Sequence, residues 1–271
     1  MSNHRKYKAF AVDLDGTLLN RNHKISEVDA EALIKMREKG VKLITVTGRS
    51  LEETHAFNSY LNQNGDWAIF QGGSQIIQFK DDQLIEDFAE IDIADRRILY
   101  QIAEKNGFYP LCVIGNEVYS KGSLNEYLDY FETMMDEKII FTDELKTLQE
   151  RGPVGKISLL VNPKILDRAE VEMVKAGLRT PWGRSHIFGT DICARNKRQA
   201  LITVLKQMGI DREELIAVGD SDNDEEMITY AGLGVAMGNA TENMKQKADY
   251  ITLDNDHGGI TQVIERYILN T

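Results

Sequence analysis

The chain predicts an α/β protein: a Rossmann-like parallel sheet core interrupted by an inserted α+β module. Three observations carry that expectation. Strand-like and helix-like runs alternate at both ends of the 271 residues, paired acids stand where two of the strands stop, and the punctuation changes between about residues 83 and 188. The expected division is 1–82 with 189–271 for the core and 83–188 for the insertion. With 42% hydrophobic residues, a chain of this length can bury one large core or two moderate ones.

The first strand is the apolar run Tyr7–Leu14, with Asp13 and Asp15 at its C-terminal end and Gly16-Thr17 directly after. A helix follows. Ser26 and Asp29 make a capping-box pattern, Ala30, Leu33 and Ile34 supply an apolar face, and Gly40 is placed to end it in a left-handed turn. Val41–Thr47, stopping at Gly48, and Trp67–Phe70 read as the next strands. Toward the other end, Leu201, Val204, Leu205 and Met208 recur at helical spacing and Gly209 closes that helix. Strand Leu215–Val218, a helix through Met227 and Ile228, strand Gly234–Ala236, a short helix after Thr241, strand Tyr250–Thr252 and a helix through Val263 and Ile264 complete the series. The two ends therefore predict halves of one parallel sheet.

The insertion holds helix candidates Asp95–Asn106, Asn125–Glu137 and Lys164–Ala176, separated by strand runs such as Lys156–Val161. No fixed repeat and no low-complexity tract is present, which excludes solenoid and disordered architectures. Tyr100, Phe108, Tyr127, Tyr130 and Phe131 have the spacing of core aromatics rather than of a ring-stacking surface. Lys121-Gly122 and Gly155-Lys156 lack the remaining residues of a phosphate loop and read as structural. His186, Cys193 and Arg195, where the chain returns from the insertion, are weaker candidates for substrate contact.

A formal charge of −11 argues against a nucleic-acid or anionic-membrane partner, because phosphate surfaces are bound by basic ones. A small anionic substrate needs only local positive charge. The start, MSNHRKYKAF, lacks the apolar stretch of a secretory signal, and no run approaches a transmembrane span, so a cytoplasmic location is expected. Cys112 and Cys193 fall outside any paired-cysteine pattern, so neither a disulfide framework nor a zinc site is indicated. No pattern in the chain specifies an oligomeric state.

In an open parallel sheet, ligands bind outside the carboxyl ends of the strands, and the conspicuous polar residues fall there. Asp13 and Asp15 end the first strand, Thr47-Gly48-Arg49 the second, and Gly219-Asp220-Ser221-Asp222-Asn223-Asp224 follows Leu215–Val218. Lys197 opens the helix before that strand. Crowded carboxylates cost several kcal/mol, on the order of the penalty for an unpaired buried charge, unless a cation or donors compensate.

Phosphoryl transfer needs charge compensation and positioning, and each residue type suits a part of it. Asp13 is placed to attack phosphorus as a carboxylate. Asp15 is placed to protonate the departing alkoxide and then deprotonate water, so its neighbours should hold its pKa above that of Asp13. Asp220, with Asp13 and a backbone carbonyl, offers the few hard oxygen ligands that Mg²⁺ takes. Thr47, the Gly48 amide, Asn223 and Lys197 are candidates for the phosphoryl oxygens. Arg49 reads as a local cap or pairing residue. A calcium loop is excluded by spacing: positions six and twelve, which require Gly and Glu, are Glu225 and Ala231 after Asp220, and Leu18 and Lys24 after Asp13.

Taken together, these segments resemble the haloacid dehalogenase (HAD) superfamily, and VGDSDNDEEM, VAMGNA and KADYITLDNDHGGI resemble its Cof-like hydrolases. The resemblance covers most of residues 7–80 and 197–268; in the insertion it is one of size and position. It implies a HAD-like core with an α+β cap, and a Mg²⁺-dependent phosphatase of small phosphorylated metabolites, sugar phosphates or related, acting through an aspartyl-phosphate. It further implies that the Leu14 amide borders the phosphate, that the Asp15 carbonyl is a metal ligand, and that Asp224 is a second-shell or water-mediated metal contact. This chain departs from the family pattern at Gln71-Gly72 (usually Asn-Gly), at Arg195-Asn196-Lys197-Arg198 (usually Gly-Val-Ser-Lys-Gly) and at His257-Gly258-Gly259. Two other readings share the acids: a sugar-phosphate mutase and an aspartate-phosphorylated signalling module. A signalling module needs neither a proton donor beside the nucleophile nor a large insertion.

Overall fold

A computed structural model describes residues 7–80, 83–114, 117–123, 125, 128–129, 132, 138–142, 152–160, 166–178, 182–185 and 189–270. The strands are β1 (Ala9–Val12), β2 (Lys42–Val46), β3 (Trp67–Phe70), β4 (Gln75–Lys80), β5 (Gln83–Phe88), β6 (Tyr109–Ile114), β7 (Glu117–Lys121), β8 (Ile139–Thr142), β9 (Lys156–Leu160), β10 (Trp182–Ser185), β11 (Gly189–Cys193), β12 (Leu215–Gly219), β13 (Leu233–Ala236) and β14 (Tyr250–Ile251). The helices are α1 (Glu27–Glu38), α2 (Ile93–Asn106), α3 (Leu166–Lys175), α4 (Lys197–Met208), α5 (Glu225–Tyr230), α6 (Glu242–Lys247) and α7 (Gly259–Ile264). The chain divides into two compact units, Met1–Asp87 with Lys197–Thr271, and Phe88–Asn196.

The first unit is built on one sheet of order β14-β13-β12-β1-β2-β3-β4-β5. From β14 to β3 every pairing is parallel; β4 turns back antiparallel on β3. The chain leaves β1 on one side through β2 and returns on its other side through β12, which makes β1 the switch point of the sheet. Sheets covered on both faces need near-continuous apolar strands. Phe10 and Val12 of β1, Ile44 of β2 and Ile216 and Val218 of β12 are all fully buried.

Helix α1 starts as its sequence requires, with the Ser26 hydroxyl accepting from the Asp29 amide at 3.2 Å. Asp29 has a second role that the capping pattern does not reveal: buried, it accepts from the Thr261 amide at 2.9 Å and from the Thr261 hydroxyl at 2.8 Å, tying α1 to α7.

The second unit carries a separate sheet of order β10-β11-β9-β6-β7-β8, antiparallel except for β7 with β8. Its core includes Leu99, Phe108, Cys112, Ile157, Met173 and Ile192, so Phe108, like the buried Tyr100, is a core aromatic. The unit begins at Phe88 rather than at residue 83, because β5 belongs to the edge of the first sheet, and it continues to Asn196 because β11 pairs with β9. Arg96, almost fully buried, anchors the entering segment: its Nε donates to the Ile91 carbonyl at 2.7 Å and its Nη2 pairs with Glu90.

Lys121 pairs with Glu104 at 2.8 Å, and the Gly155 carbonyl accepts from the Ala194 amide at 2.9 Å, so both phosphate-loop fragments are structural. Most of the expected helix 125–137, with Tyr127, Tyr130 and Phe131, lies outside the described residues, as does His186. Among the described residues no helix is long and apolar enough to cross a membrane.

Candidate active site

Asp13 and Asp220 converge because their strands are neighbours in register. Val12 of β1 pairs level with Val218 of β12, so Asp13 and Gly219 leave the sheet side by side, and the Asp13 amide donates to the Val218 carbonyl at 3.1 Å. On the other flank, Val12 pairs level with Thr45, which brings the buried Thr47 to the level of Leu14. Separations of some 200 residues in sequence thus collapse to neighbouring strand ends.

Ligand oxygens of Asp13, Asp220 and Asp224 lie within 4.8 Å of one another, and all three residues are buried. Lys197, the first residue of α4 and 4% exposed, places its Nζ 2.7 Å from Asp13 Oδ1 and 2.6 Å from Asp224 Oδ1. Asn223 Oδ1 lies 3.4 Å from the same ammonium and accepts from the Ser221 hydroxyl at 2.8 Å. Asp224 is oriented from behind, its Oδ2 accepting the amides of Asp220 and Ser221 at 3.2 and 3.3 Å. Gly16, at φ +80°, lets the loop after β1 close onto this cluster; a Cβ there would meet Asp220 Oδ2 at 2.5 Å.

Three buried carboxylates around one ammonium leave a surplus of negative charge. Burial, then Asp224, push the Asp13 carboxyl well above the usual carboxylate range, against the opposing pull of Lys197. Burial opposes the Lys197 ammonium, but Asp13 and Asp224 outweigh it and hold its pKa above the ordinary lysine value. A cluster with oxygen donors only, all of them carboxylates and buried, fits a hard divalent cation.

Two relationships at the site go beyond the sequence reading. Thr17 donates its hydroxyl to Asp220 Oδ1 at 2.7 Å and so orients that acid; the only signal in the sequence is its place directly after the Asp-Leu-Asp-Gly turn. Asp15 is gripped by Arg49, with Nε 2.8 Å from Oδ2 and Nη2 2.6 Å from Oδ1, and the guanidinium lies over the Phe57 ring at 5.8 Å. The local pairing expected of Arg49 is therefore with the proposed acid itself. Asp13 carries an upward shift, through burial first and then its acidic neighbours, while the Asp15 carboxylate is paired with a cation. Asp222 accepts from the Thr241 hydroxyl and the Asn243 amide.

Comparison with known proteins identifies the family. The family model of haloacid dehalogenase-like hydrolases matches residues 10–264. A crystal structure of a haloacid dehalogenase-like hydrolase from Bacteroides thetaiotaomicron superposes with a TM-score of 0.81 at 31% identity, covering 96% of this chain and 99% of the other. Phosphatase YwpJ of Bacillus subtilis is 27% identical over 96% of this chain and 100% of its own length. The 5-amino-6-(5-phospho-D-ribitylamino)uracil phosphatase YcsE, also of Bacillus subtilis, is 27% identical over 97% of this chain and 96% of its own. With a family match running from β1 to α7, and acids, lysine and threonine gathered at the strand ends, the chain belongs to the haloacid dehalogenase-like hydrolases.

Proposed function

We propose that this hydrolase is a Mg²⁺-dependent phosphoric monoester hydrolase of small cytoplasmic metabolites, sugar phosphates or related compounds. One observation carries the reading: Lys197 bridges Asp13 and Asp224 inside a buried acidic cluster completed by Asp220. A nucleophile, a fixed cation and a set of hard oxygen donors stand at one strand end, which is what transfer of a phosphoryl group requires.

In the proposed reaction, an Asp13 carboxylate oxygen attacks phosphorus, the bond from phosphorus to the substrate oxygen breaks, and Asp15 gives that oxygen a proton. Water then attacks the aspartyl-phosphate, Asp15 takes the water's proton, and the phosphorus–Asp13 bond breaks to release phosphate. Thr47, the amides of Leu14 and Gly48, Asn223 and Lys197 hold the phosphoryl oxygens. Lys197 is well suited to this role because, against the opposing effect of burial, Asp13 and Asp224 keep it charged. Asp13, Asp220 and the Asp15 carbonyl are the proposed ligands of magnesium, with Asp224 contacting it through water or the second shell; bound there, the ion supplies charge neutralisation for the phosphoryl group. The second unit is assigned the selection of the substrate, as a cap. The name of YcsE supports the class: that relative acts on a phosphorylated ribityl chain.

The test is phosphate release from p-nitrophenyl phosphate and from a panel of sugar and cofactor monophosphates. Release that requires Mg²⁺ and disappears in Asp13→Asn is expected. Undiminished turnover in Asp13→Asn removes the covalent route.

A further inference from the structure

A cleft of about 470 Å³ opens in the first unit at the N-terminal ends of β1, β2 and β3, the end of the sheet opposite the acidic cluster. Lys8, Lys42 and Lys80 line it together with Trp67, Gln78 and Gln207, and among the described residues no lining residue is acidic. In a chain with a net charge of −11, three lysines in one cleft is a departure from the average surface.

The sheet itself brings these groups together. Gln78 pairs level with Trp67, and Trp67 with Ile44, so these residues share one face. Lys80 lies two residues from Gln78 and Lys42 two residues from Ile44, which puts both lysines on that same face, beside the last turn of α4. Lys42 lies against bare backbone: a Cβ on Gly65, which has φ +91°, would come 3.3 Å from its Nζ.

Among the described residues, acids do not neutralise the two strand lysines of the cleft. Lys8 pairs with Glu214 at 2.5 Å, but Lys42 and Lys80 make no ion pair with any described residue. Asp66, between the lining residues Gly65 and Trp67, is already bound by Arg37 at 2.7 Å. Nor are the strand lysines needed to offset helix C-termini, since α1 carries Lys35 and Arg37 in its last turn and α4 carries Lys206.

We infer that this cleft is a second ligand site, binding a small polyanion with two or more carboxylate or phosphate groups. Lys42 and Lys80 meet its charges, Gln78 and Gln207 donate from their amides, and Trp67 forms the apolar wall. The site is separate from the acidic cluster, and the inference does not depend on the reaction proposed above.

Trp67 supplies the readout, because Trp182 is the only other tryptophan. The full chain carrying Trp182→Phe and Asp13→Asn, the latter to prevent turnover, is titrated with citrate and separately with pyrophosphate, without divalent ions and at constant ionic strength. Saturable change in Trp67 emission is expected with at least one probe; citrate alone marks a carboxylate ligand, pyrophosphate alone a phosphate one. Adding Lys42→Gln and Lys80→Gln is expected to weaken binding at least tenfold while the thermal midpoint of the probe-free protein stays put. Lys80→Glu alone, at an exposed strand end, is the second variant and is expected to weaken binding at least tenfold as well. No saturable change with either probe, or unchanged affinity in the Lys80→Glu protein, overturns the inference.

Discussion

Arg49 and Asp15 form a two-pronged ion pair, Nε to Oδ2 at 2.8 Å and Nη2 to Oδ1 at 2.6 Å, with the guanidinium supported by the Phe57 ring. Asp15 also raises the Arg49 pKa through its hydrogen bonds, so the arginine stays charged throughout. A planar fork fixes a carboxylate in direction as well as place, which a lysine ammonium cannot do.

Arg49→Lys is accordingly expected to lower kcat by roughly a hundredfold, the order of loss that follows a misplaced reacting group. KM for small substrates should change much less. Steady-state kinetics on p-nitrophenyl phosphate checks this, and an unchanged kcat would show that Asp15 needs no fixed orientation.

Lys197→Met removes the ammonium that pairs with two of three clustered, buried carboxylates. Breaking a buried ion pair from one side costs about 3–5 kcal/mol. Urea unfolding should show that loss, and Mg²⁺ should restore more stability to the variant than it adds to the parent, because the cation replaces part of the missing charge. Equal effects of Mg²⁺ on both proteins would place the ion elsewhere.

Asp29→Ala tests a structural acid far from the chemistry in role. The carboxylate is 1% exposed and holds the Thr261 amide and hydroxyl at 2.9 and 2.8 Å. Leaving those donors unpaired should destabilise the first unit by about 3 kcal/mol, since hydrogen bonds to a charged group are worth roughly 1.5–3 kcal/mol. The value of kcat in the folded fraction should be unaltered, which separates this acid from Asp13 and Asp220.

Cys112 provides a pH prediction. Burial pushes its thiol up to about 12, although the Tyr100 hydroxyl, 3.2 Å from its sulfur, pulls the other way. The folded value lies above the unfolded one, so the contribution to stability is complete below the unfolded pKa and is lost as pH rises toward the folded one. Between about pH 9 and 12 the unfolded chain releases a proton that the native chain retains, and stability should fall with a limiting slope of about 1.4 kcal/mol per pH unit for this group. Cys112→Val should flatten the alkaline limb of a stability–pH curve. At pH 8 the native thiol should resist alkylation until the protein is unfolded.

Much of the fold was legible because its signals are local. Ser26, Asp29 and Gly40 bound α1 through capping and turn geometry, and runs such as Ala9–Val12 and Leu215–Val218 are too apolar for anything but central strands. The edges were less legible. β5 was expected in the insertion, yet it stays with the first sheet, because an edge strand is defined by the neighbour it pairs with and not by its own residues.

The same division runs through the site. The sequence by itself determined which residues are candidates for chemistry: two acids and a Gly-Thr after one strand, an acidic loop after another, and a lysine opening the helix before it. Only the tertiary structure decided what those residues do to one another. Register between β1 and β12 set the distances, burial raised Asp13, Asp13 and Asp224 kept the buried Lys197 charged, and Arg49 settled on Asp15. Electrostatic interaction depends on separation and on the solvent excluded around each charge, and a linear chain specifies both only once it has folded.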